Sequence, residues 1–97
     1  MIRARIHRHG DERLLAACDG ELLGKTFQNG MARVTITEAF YGGDEITEET
    51  LAERMGSVTM MNLFGERAIA VAIEKGYVAS ENVIVVAGVK HAQVVII

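Results

Sequence analysis

Basic side chains recur at alternate positions near the start of the chain, and two further arginines lie beside them. They are Arg3, Arg5, His7 and His9 in the alternating run, with Arg8 and Arg13 nearby. Guanidinium groups spaced along a strand can follow a phosphate backbone, since each contact releases condensed counterions. No aromatic residue lies between these positions, so base stacking is not indicated. The alternative is that the arginine stems cover a sheet face and keep their charged ends in water.

The segment 20–26 (GELLGKT) has the outline of a phosphate-binding loop without its spacing. A P-loop places four residues between its glycines, whereas three separate Gly20 from Gly24. Two of those three are bulky leucines, which do not favour a close approach of backbone amides to phosphate. The segment therefore predicts a glycine turn, on which Lys25 is either a point charge for a phosphate or an ordinary surface lysine.

Metal binding finds little support in the sequence. His7 and His9 have the i, i+2 spacing of some metal sites, but zinc takes three or four protein ligands. His91 and Cys18 could complete the set only if distant segments of the chain converge. A lone cysteine at the end of an apolar stretch is typical of a buried, inert side chain. We expect no metal ion and no other cofactor.

Length and composition bound the kind of protein that these residues belong to. The 97 residues are 49% apolar and 24% charged, which predicts a single domain spanning 1–97 with one core. No apolar run is long enough to cross a membrane, and no secretory-type apolar run follows the N-terminus. A single cysteine excludes an internal disulfide. These features predict a soluble, cytoplasmic protein that does not associate with membranes.

Charge is divided unevenly along the chain. Residues 1–35 hold six basic and four acidic groups, whereas residues 36–97 hold four basic and nine acidic groups. A distribution of this kind suits a surface with one side that attracts anions. Its ordinary interpretation is surface charge that maintains solubility.

The basic run lies on a predicted β-hairpin. Residues 2–9 alternate between apolar and basic side chains, Gly10-Asp11 fits a two-residue type II′ turn, and residues 12–18 return antiparallel. The expected pairs are His9 with Glu12, Arg8 with Arg13, Ile6 with Leu15 and Arg3 with Cys18. Because like charges directly opposite destabilise a sheet, an anion is expected beside Arg8 and Arg13: a glutamate of the chain or, alternatively, a bound phosphate.

Further along the chain, glycines and one strong helix signal divide the sequence. Thr47 is the expected N-cap of a helix with acidic residues in its first turn and its end at Gly56. The other expected elements are a turn and loop at 19–32, strands at 33–39, 83–87 and 92–97, turns at 40–44 and 88–91, and a helix at 60–75. The order β-β-β-α-α-β-β predicts an α+β fold, in which a mostly antiparallel sheet of about five strands carries two helices.

Six stretches in order resemble an archaeal family known as domain of unknown function 424. They are 14–19 (LLAACD), 21–27 (ELLGKTF), 40–43 (FYGG), 62–66 (NLFGE), 72–76 (AIEKG) and 88–93 (GVKHAQ). The resemblance covers nearly the whole chain and implies a cytoplasmic archaeal protein whose gene lies near those of translation factors. The recurring polar positions of the family correspond here to Cys18, Asp19, Lys25, Asn62, Glu66, His91 and Gln93.

Two of these polar positions carry structural expectations. Asn62 is expected either to cap the second helix or to hydrogen-bond across to the turn at 40–43. Glu66 is expected on the polar side of that helix, where it would pair with Lys25 or Arg67.

Three kinds of function follow from these features. We favour a non-enzymatic binding module whose partner is RNA or a protein of the translation machinery. Its expected binding residues are Arg3, Arg5, Arg8, Arg13, Lys25, Asn62, Glu66, His91 and Gln93. One alternative is a small enzyme that uses Lys25 and His91 beside the turn at Gly42-Gly43. The other is a homo-oligomeric or adaptor domain joined through an uncovered sheet edge, such as the apolar strand 92–97.

Overall fold

A six-stranded sheet forms the centre of the molecule in the computed structural model, which describes all residues from 1 to 97. The chain has eight strands, six of which form this sheet. They are β1 (Ile2–His9), β2 (Glu12–Asp19), β3 (Thr26–Asn29), β4 (Ala32–Thr35), β5 (Asp44–Ile46), β6 (Met60–Phe64), β7 (Ile84–Val86) and β8 (Val89–Val95). The helices are α1 (Glu38–Tyr41), α2 (Glu48–Met55) and α3 (Glu66–Glu74), with 3₁₀ turns at Gly20–Leu22 and Ser80–Asn82.

The strands of the main sheet follow the order β5-β1-β2-β6-β8-β7, and β3 and β4 form a separate hairpin. Every neighbouring pair in the main sheet is antiparallel except β2 and β6, which are parallel. The predicted α+β class, with a mostly antiparallel sheet, is confirmed.

The opening hairpin has the predicted register. All four expected pairs, from His9 with Glu12 to Arg3 with Cys18, are present between β1 and β2. Gly10 has a φ of +59°, which the first position of a type II′ turn requires. Ile2, Ala4 and Leu15 on one face of the hairpin are buried, as the alternation predicts, while Ile6 on the same face is only partly buried.

The prediction of one helix over 60–75 is wrong in its first third. Residues 60–64 form β6, which lies at the centre of the sheet between β2 and β8. A short apolar run has the same appearance in a buried strand and in a buried helix, so periodicity alone does not separate them. The helix itself starts at Glu66, after Gly65, and ends before Gly76 as expected.

The remaining differences concern short elements. The loop expected at 19–32 contains β3, and the turn expected at 40–44 contains the end of α1 and the start of β5. The last hairpin turns at Ala87-Gly88, both with positive φ as in a type I′ turn, so β8 starts earlier than expected. Helix α2 is confirmed, since the Thr47 hydroxyl accepts a hydrogen bond from the amide of Thr50.

The two faces of the main sheet are covered differently. Helices α2 and α3 pack on one face and enclose the larger cluster of buried side chains. The opposite face, called here the second face, is partly covered by α1 and by the β3–β4 hairpin. Its smaller buried cluster comprises Ala16, Cys18, Ile36, Tyr41, Phe64 and Val89.

A buried carboxylate joins the end of β2 to the start of α3. The two oxygens of Asp19 accept hydrogen bonds from the amides of Arg67 and Ala68 at 2.9–3.1 Å. A carboxylate at this position satisfies amides that the first turn of a helix leaves unpaired and also opposes the helix dipole. Gly65 permits this approach, because a Cβ there would lie 2.4 Å from Asp19 Cγ, and because its φ is +111°.

We predict that Gly65→Ala lowers the free energy of unfolding by about 3 kcal/mol, through backbone strain and displacement of the Asp19 carboxylate. Gly56→Ala is the matched control, since Gly56 has an ordinary φ of −73° and room for a methyl group. Urea unfolding of both variants measures the difference. An equal loss in the two variants would contradict the role assigned to Gly65.

Candidate functional site

The strand register places most of the predicted site residues in two adjacent rows on the second face. One row consists of Arg5, Ala16, Asn62 and Gln93, and the next consists of Arg3, Cys18, Phe64 and His91. Neighbouring strands are about 4.8 Å apart, so each row extends roughly 14 Å from β1 to β8. The register therefore aligns residues from four segments that are far apart in sequence.

Tyr41 of α1 extends over the middle of the second face. Its hydroxyl donates a hydrogen bond to Asn62 Oδ1 at 2.6 Å, and its ring meets Phe64 edge to face. Burial raises the pKa of Tyr41 well above its usual value, so the phenol stays protonated and remains a donor. Of the two roles expected for Asn62, the structure confirms the hydrogen bond to the segment 40–43, while the capping role is wrong because Asn62 lies within β6.

Two of the basic positions on β1 hold α1 in place. Arg3 Nη2 donates to the carbonyl of Gly43 at 3.1 Å and lies 3.5 Å from a carboxylate oxygen of Glu38. His7 Nε2 lies 2.8 Å from the carbonyl oxygen of Phe40, and its ring stacks on the Phe40 ring. These side chains therefore contribute to the fold of the second face.

The other arginines of the hairpin have no carboxylate within ion-pair distance. Arg13 Nε donates to the carbonyl of Ser57 at 2.7 Å. The nearby Glu12 carboxylate accepts from the hydroxyl of Thr59 and forms no ion pair with Arg8 or Arg13. The expected glutamate between the two opposed arginines is therefore absent.

Arg5 differs from Arg3 in the partners of its guanidinium. The Nε atoms of both side chains are buried without a hydrogen-bond partner, but the Nη2 of Arg3 is engaged by Gly43 and Glu38, whereas the guanidinium of Arg5 has no partner in the chain. The side chain adjoins a cavity of about 310 Å³ beside β1, which is also lined by Gly43, Asp44 and Arg54. Asp44 pairs with Arg54 at 3.0 Å, so its carboxylate is already engaged. A buried donor without an acceptor carries a cost in free energy, and the charged end of the Arg5 side chain is left without an acceptor beside the cavity.

The remaining predicted residues do not join this cavity. Lys25 is exposed in the turn before β3. Glu66 pairs with Lys90 at 3.1 Å, so its expected pairing with Lys25 or Arg67 is wrong. Arg67 pairs instead with Glu21 at 3.0 Å. Gln93 is exposed on β8, opposite Asn62.

His91 and Cys18 are buried, and burial disfavours the charged form of each side chain. Burial lowers the pKa of His91, although its hydrogen bond to the Leu63 carbonyl acts in the opposite direction. The His91 ring stacks on Phe64 with 4.1 Å between centroids. Burial, together with the neighbouring Asp19 carboxylate, raises the pKa of Cys18 to about 12. The Cys18 thiol is therefore not a thiolate near neutral pH.

The groups of the enzyme hypothesis are not brought together. Gly43 lies against Ala4 of β1, whereas His91 lies on β8, three strand spacings or roughly 14 Å away. None of the four surface cavities is lined by Lys25 or His91.

Sequence reasoning missed α1 and with it the position of Tyr41. The signal was present in Thr37 followed by Glu38, which is an N-cap with an acidic first turn. In the structure the Thr37 hydroxyl accepts from the amide of Phe40 at 3.2 Å. The aromatic pair Phe40-Tyr41 thus lies on a short helix rather than in a turn.

A family model described as "Protein of unknown function (DUF424)" matches residues 7–97. The chain belongs to the DUF424 family. This confirms the resemblance found in the sequence, and no curated protein matches the chain.

A solved structure similar to this DUF424 protein is that of an uncharacterized conserved protein from Methanopyrus kandleri. The two chains are 26% identical, and the TM-score is 0.86. The match covers 99% of this chain and 93% of the other. The α+β fold is therefore shared with an archaeal protein over essentially its whole length.

Burial of His91 predicts a stability that depends on pH. Its pKa is lower in the folded protein than the 6.5 of the unfolded chain, so the unfolded chain takes up the proton first as the pH falls. The contribution of neutral His91 to the free energy of unfolding is therefore full above pH 6.5. It is lost as the pH falls below 6.5, by at most about 1.4 kcal/mol per pH unit.

Glutamine does not titrate. We therefore predict that His91→Gln removes the part of the decrease in the free energy of unfolding, between about pH 7.5 and pH 5, that is due to His91. The control is His9→Gln, because His9 is exposed on the hairpin. Urea unfolding at both pH values gives the free energies. An unchanged pH dependence in His91→Gln would show that His91 is not the responsible group.

Proposed function

We propose that this DUF424 protein is a non-enzymatic binding module whose partner is RNA associated with the translation machinery. The observation that supports this most is the guanidinium of Arg5, which has no hydrogen-bond or ion-pair partner in the chain and lies beside an open cavity. A phosphate oxygen is a suitable acceptor, since arginine binds phosphate through paired, charge-assisted hydrogen bonds.

The free edge of β1 supplies further donors for phosphate. The Ala4 carbonyl lies against Gly43, on the side of β1 that faces β5. Alternate residues of a strand direct their backbone groups to the same side. Because β5 pairs only with residues 2–4, the amides of Ile6 and Arg8 face an edge that no strand covers. Backbone amides and arginines together are common phosphate ligands in nucleic-acid complexes.

The opposed arginines near the hairpin turn favour a further contact with an anion. Arg8 lies directly opposite Arg13, and no carboxylate of the chain pairs with either side chain. Like charges in this position destabilise a sheet unless an anion offsets them. Arg5 and Arg8 belong to the same edge strand and are about 10 Å apart along it. Their side chains leave opposite faces of the sheet, so a phosphate backbone that crosses this edge would meet one guanidinium group on each face.

The proposed partner also suits the rest of the molecule. The geometry gives the catalytic alternative no support, because Lys25 and His91 line none of the four surface cavities. None of the helices has the length and apolarity that crossing a bilayer demands. We propose a cytoplasmic location, where the translation machinery operates.

RNA binding should depend on salt and on the arginines of the edge. We predict that affinity for a short single-stranded RNA falls as KCl is raised, because bound counterions are released. The double variant Arg5→Ala/Arg8→Ala should bind roughly tenfold more weakly, and the slope of log K against log salt should decrease by about 1.4. Fluorescence anisotropy measures both quantities.

The matched control is Arg33→Ala/Lys75→Ala, which removes two exposed and unpaired charges from the β3–β4 hairpin and the end of α3. Its affinity should stay within about twofold of the unmodified protein, since distant exposed charges act weakly. Binding that does not weaken as salt rises, or an equal loss in both double variants, would contradict the proposal.

A further inference from the structure

One edge of the main sheet gathers most of the exposed large apolar side chains. Eight such residues are exposed in the molecule, and five lie on β7 or at the end of β8: Ile84, Val85, Val95, Ile96 and Ile97. No side chain of residues 82–89 or 92–97 is charged. This region, called here the β7–β8 edge, is therefore both apolar and uncharged.

The end of β8 also has unpaired backbone groups on its outer side. The Lys90 carbonyl accepts from Gly65, and the Ile96 amide donates to Thr59, so even-numbered residues of β8 face β6. The odd-numbered residues face outward, where β7 pairs with residues 89–91. Because β7 goes no further, the amide and carbonyl groups of Gln93 and Val95 face an open edge.

The opposite edge of the sheet is protected in a way that this edge is not. Beyond Ala4, the free part of β1 carries Arg5 and Arg8, and charged side chains on an edge oppose pairing with another strand. Neither charge nor proline protects the end of β8. An open, apolar and uncharged edge favours the addition of a further strand.

We propose that two copies of this chain pair through this edge, with β8 antiparallel to β8 of the second copy. A two-fold axis at Val95 places the two Val95 residues opposite each other, and Gln93 opposite Ile97 of the second copy. The pairing is self-complementary, as closed dimers require, and it joins two six-stranded sheets into one. Ile84 borders the added strand where β7 ends.

The apolar area of the edge suits a weak, reversible dimer. Val95 is 64% exposed, and Ile84 is 54% exposed. With Ile96 and Ile97, these side chains offer on the order of 400 Å² of surface in each copy. A standard interface buries about 800 Å² in each partner, so paired backbone and flanking residues supply the remainder. Association is thus expected at high protein concentration.

Sedimentation equilibrium from about 10 µM to about 1 mM tests the association. The mass should rise from 10.6 kDa toward twice that value. Val95→Lys places two ammonium groups opposite each other and should raise the dissociation constant at least tenfold. The control is Ile73→Lys, on the exposed side of α3, which should associate like the unmodified protein. A constant mass of 10.6 kDa, or equal association of the two lysine variants, would overturn the proposal.

A cysteine variant tests the register. Opposed residues of a hydrogen-bonded pair have Cα atoms about 5.5 Å apart, within the range of a disulfide. With oxidised glutathione, the two thiols of a Val95→Cys dimer form one disulfide while the glutathione disulfide is reduced to two thiols. The native Cys18 is fully buried and does not compete.

Val95→Cys should yield mostly covalent dimer under these conditions, and Ile73→Cys should yield at least tenfold less. Similar yields from the two cysteine variants would exclude the proposed register. Because this edge contains no arginine of the RNA proposal, loss of dimerisation and loss of RNA binding are separate outcomes.

Discussion

The carboxylate of Asp19 constrains where three elements meet. It lies at the end of β2 and accepts hydrogen bonds from the first turn of α3. Gly65 stands between β6 and α3 because a side chain there would occupy the place of the carboxylate. This arrangement fixes α3 against the sheet and ends β6 level with β2. The parallel pairing of β2 with β6 then determines which residues share a row on the second face.

That face carries polar groups that are engaged within the fold and one arginine that is not. In the middle of the face, the Tyr41 hydroxyl donates a hydrogen bond to the side chain of Asn62. The ring of His91 is hydrogen-bonded to the main-chain carbonyl of Leu63. Arg3 is engaged by the segment that leads out of α1. Arg5 lies two residues further along β1, and its guanidinium has no such partner. The two open edges of the sheet therefore differ in chemistry: the β1 edge is basic, and the β7–β8 edge is apolar and uncharged.

Local signals in the sequence were sufficient for part of this structure. Gly10-Asp11 and the alternation around it determined the register of β1 with β2, and Thr47 and Gly56 marked the ends of α2. Long-range pairing was beyond such signals. The apolar run 60–64 becomes a strand because it pairs with β2 and β8, which a local period does not encode. The difference between Arg3 and Arg5 has the same origin, since it depends on the Gly43 carbonyl and the Glu38 carboxylate accepting hydrogen bonds from Arg3 alone.

We propose that the free edge of β1 holds its hydrogen-bond donors available for an anionic polymer. Amide NMR spectra, recorded while a short single-stranded RNA is added, test this most directly. The account predicts that the backbone amides of Ile6 and Arg8 shift first and furthest, while those of α2 stay in place. Largest shifts on the β3–β4 hairpin around Lys25, or no shift at any amide, would contradict it.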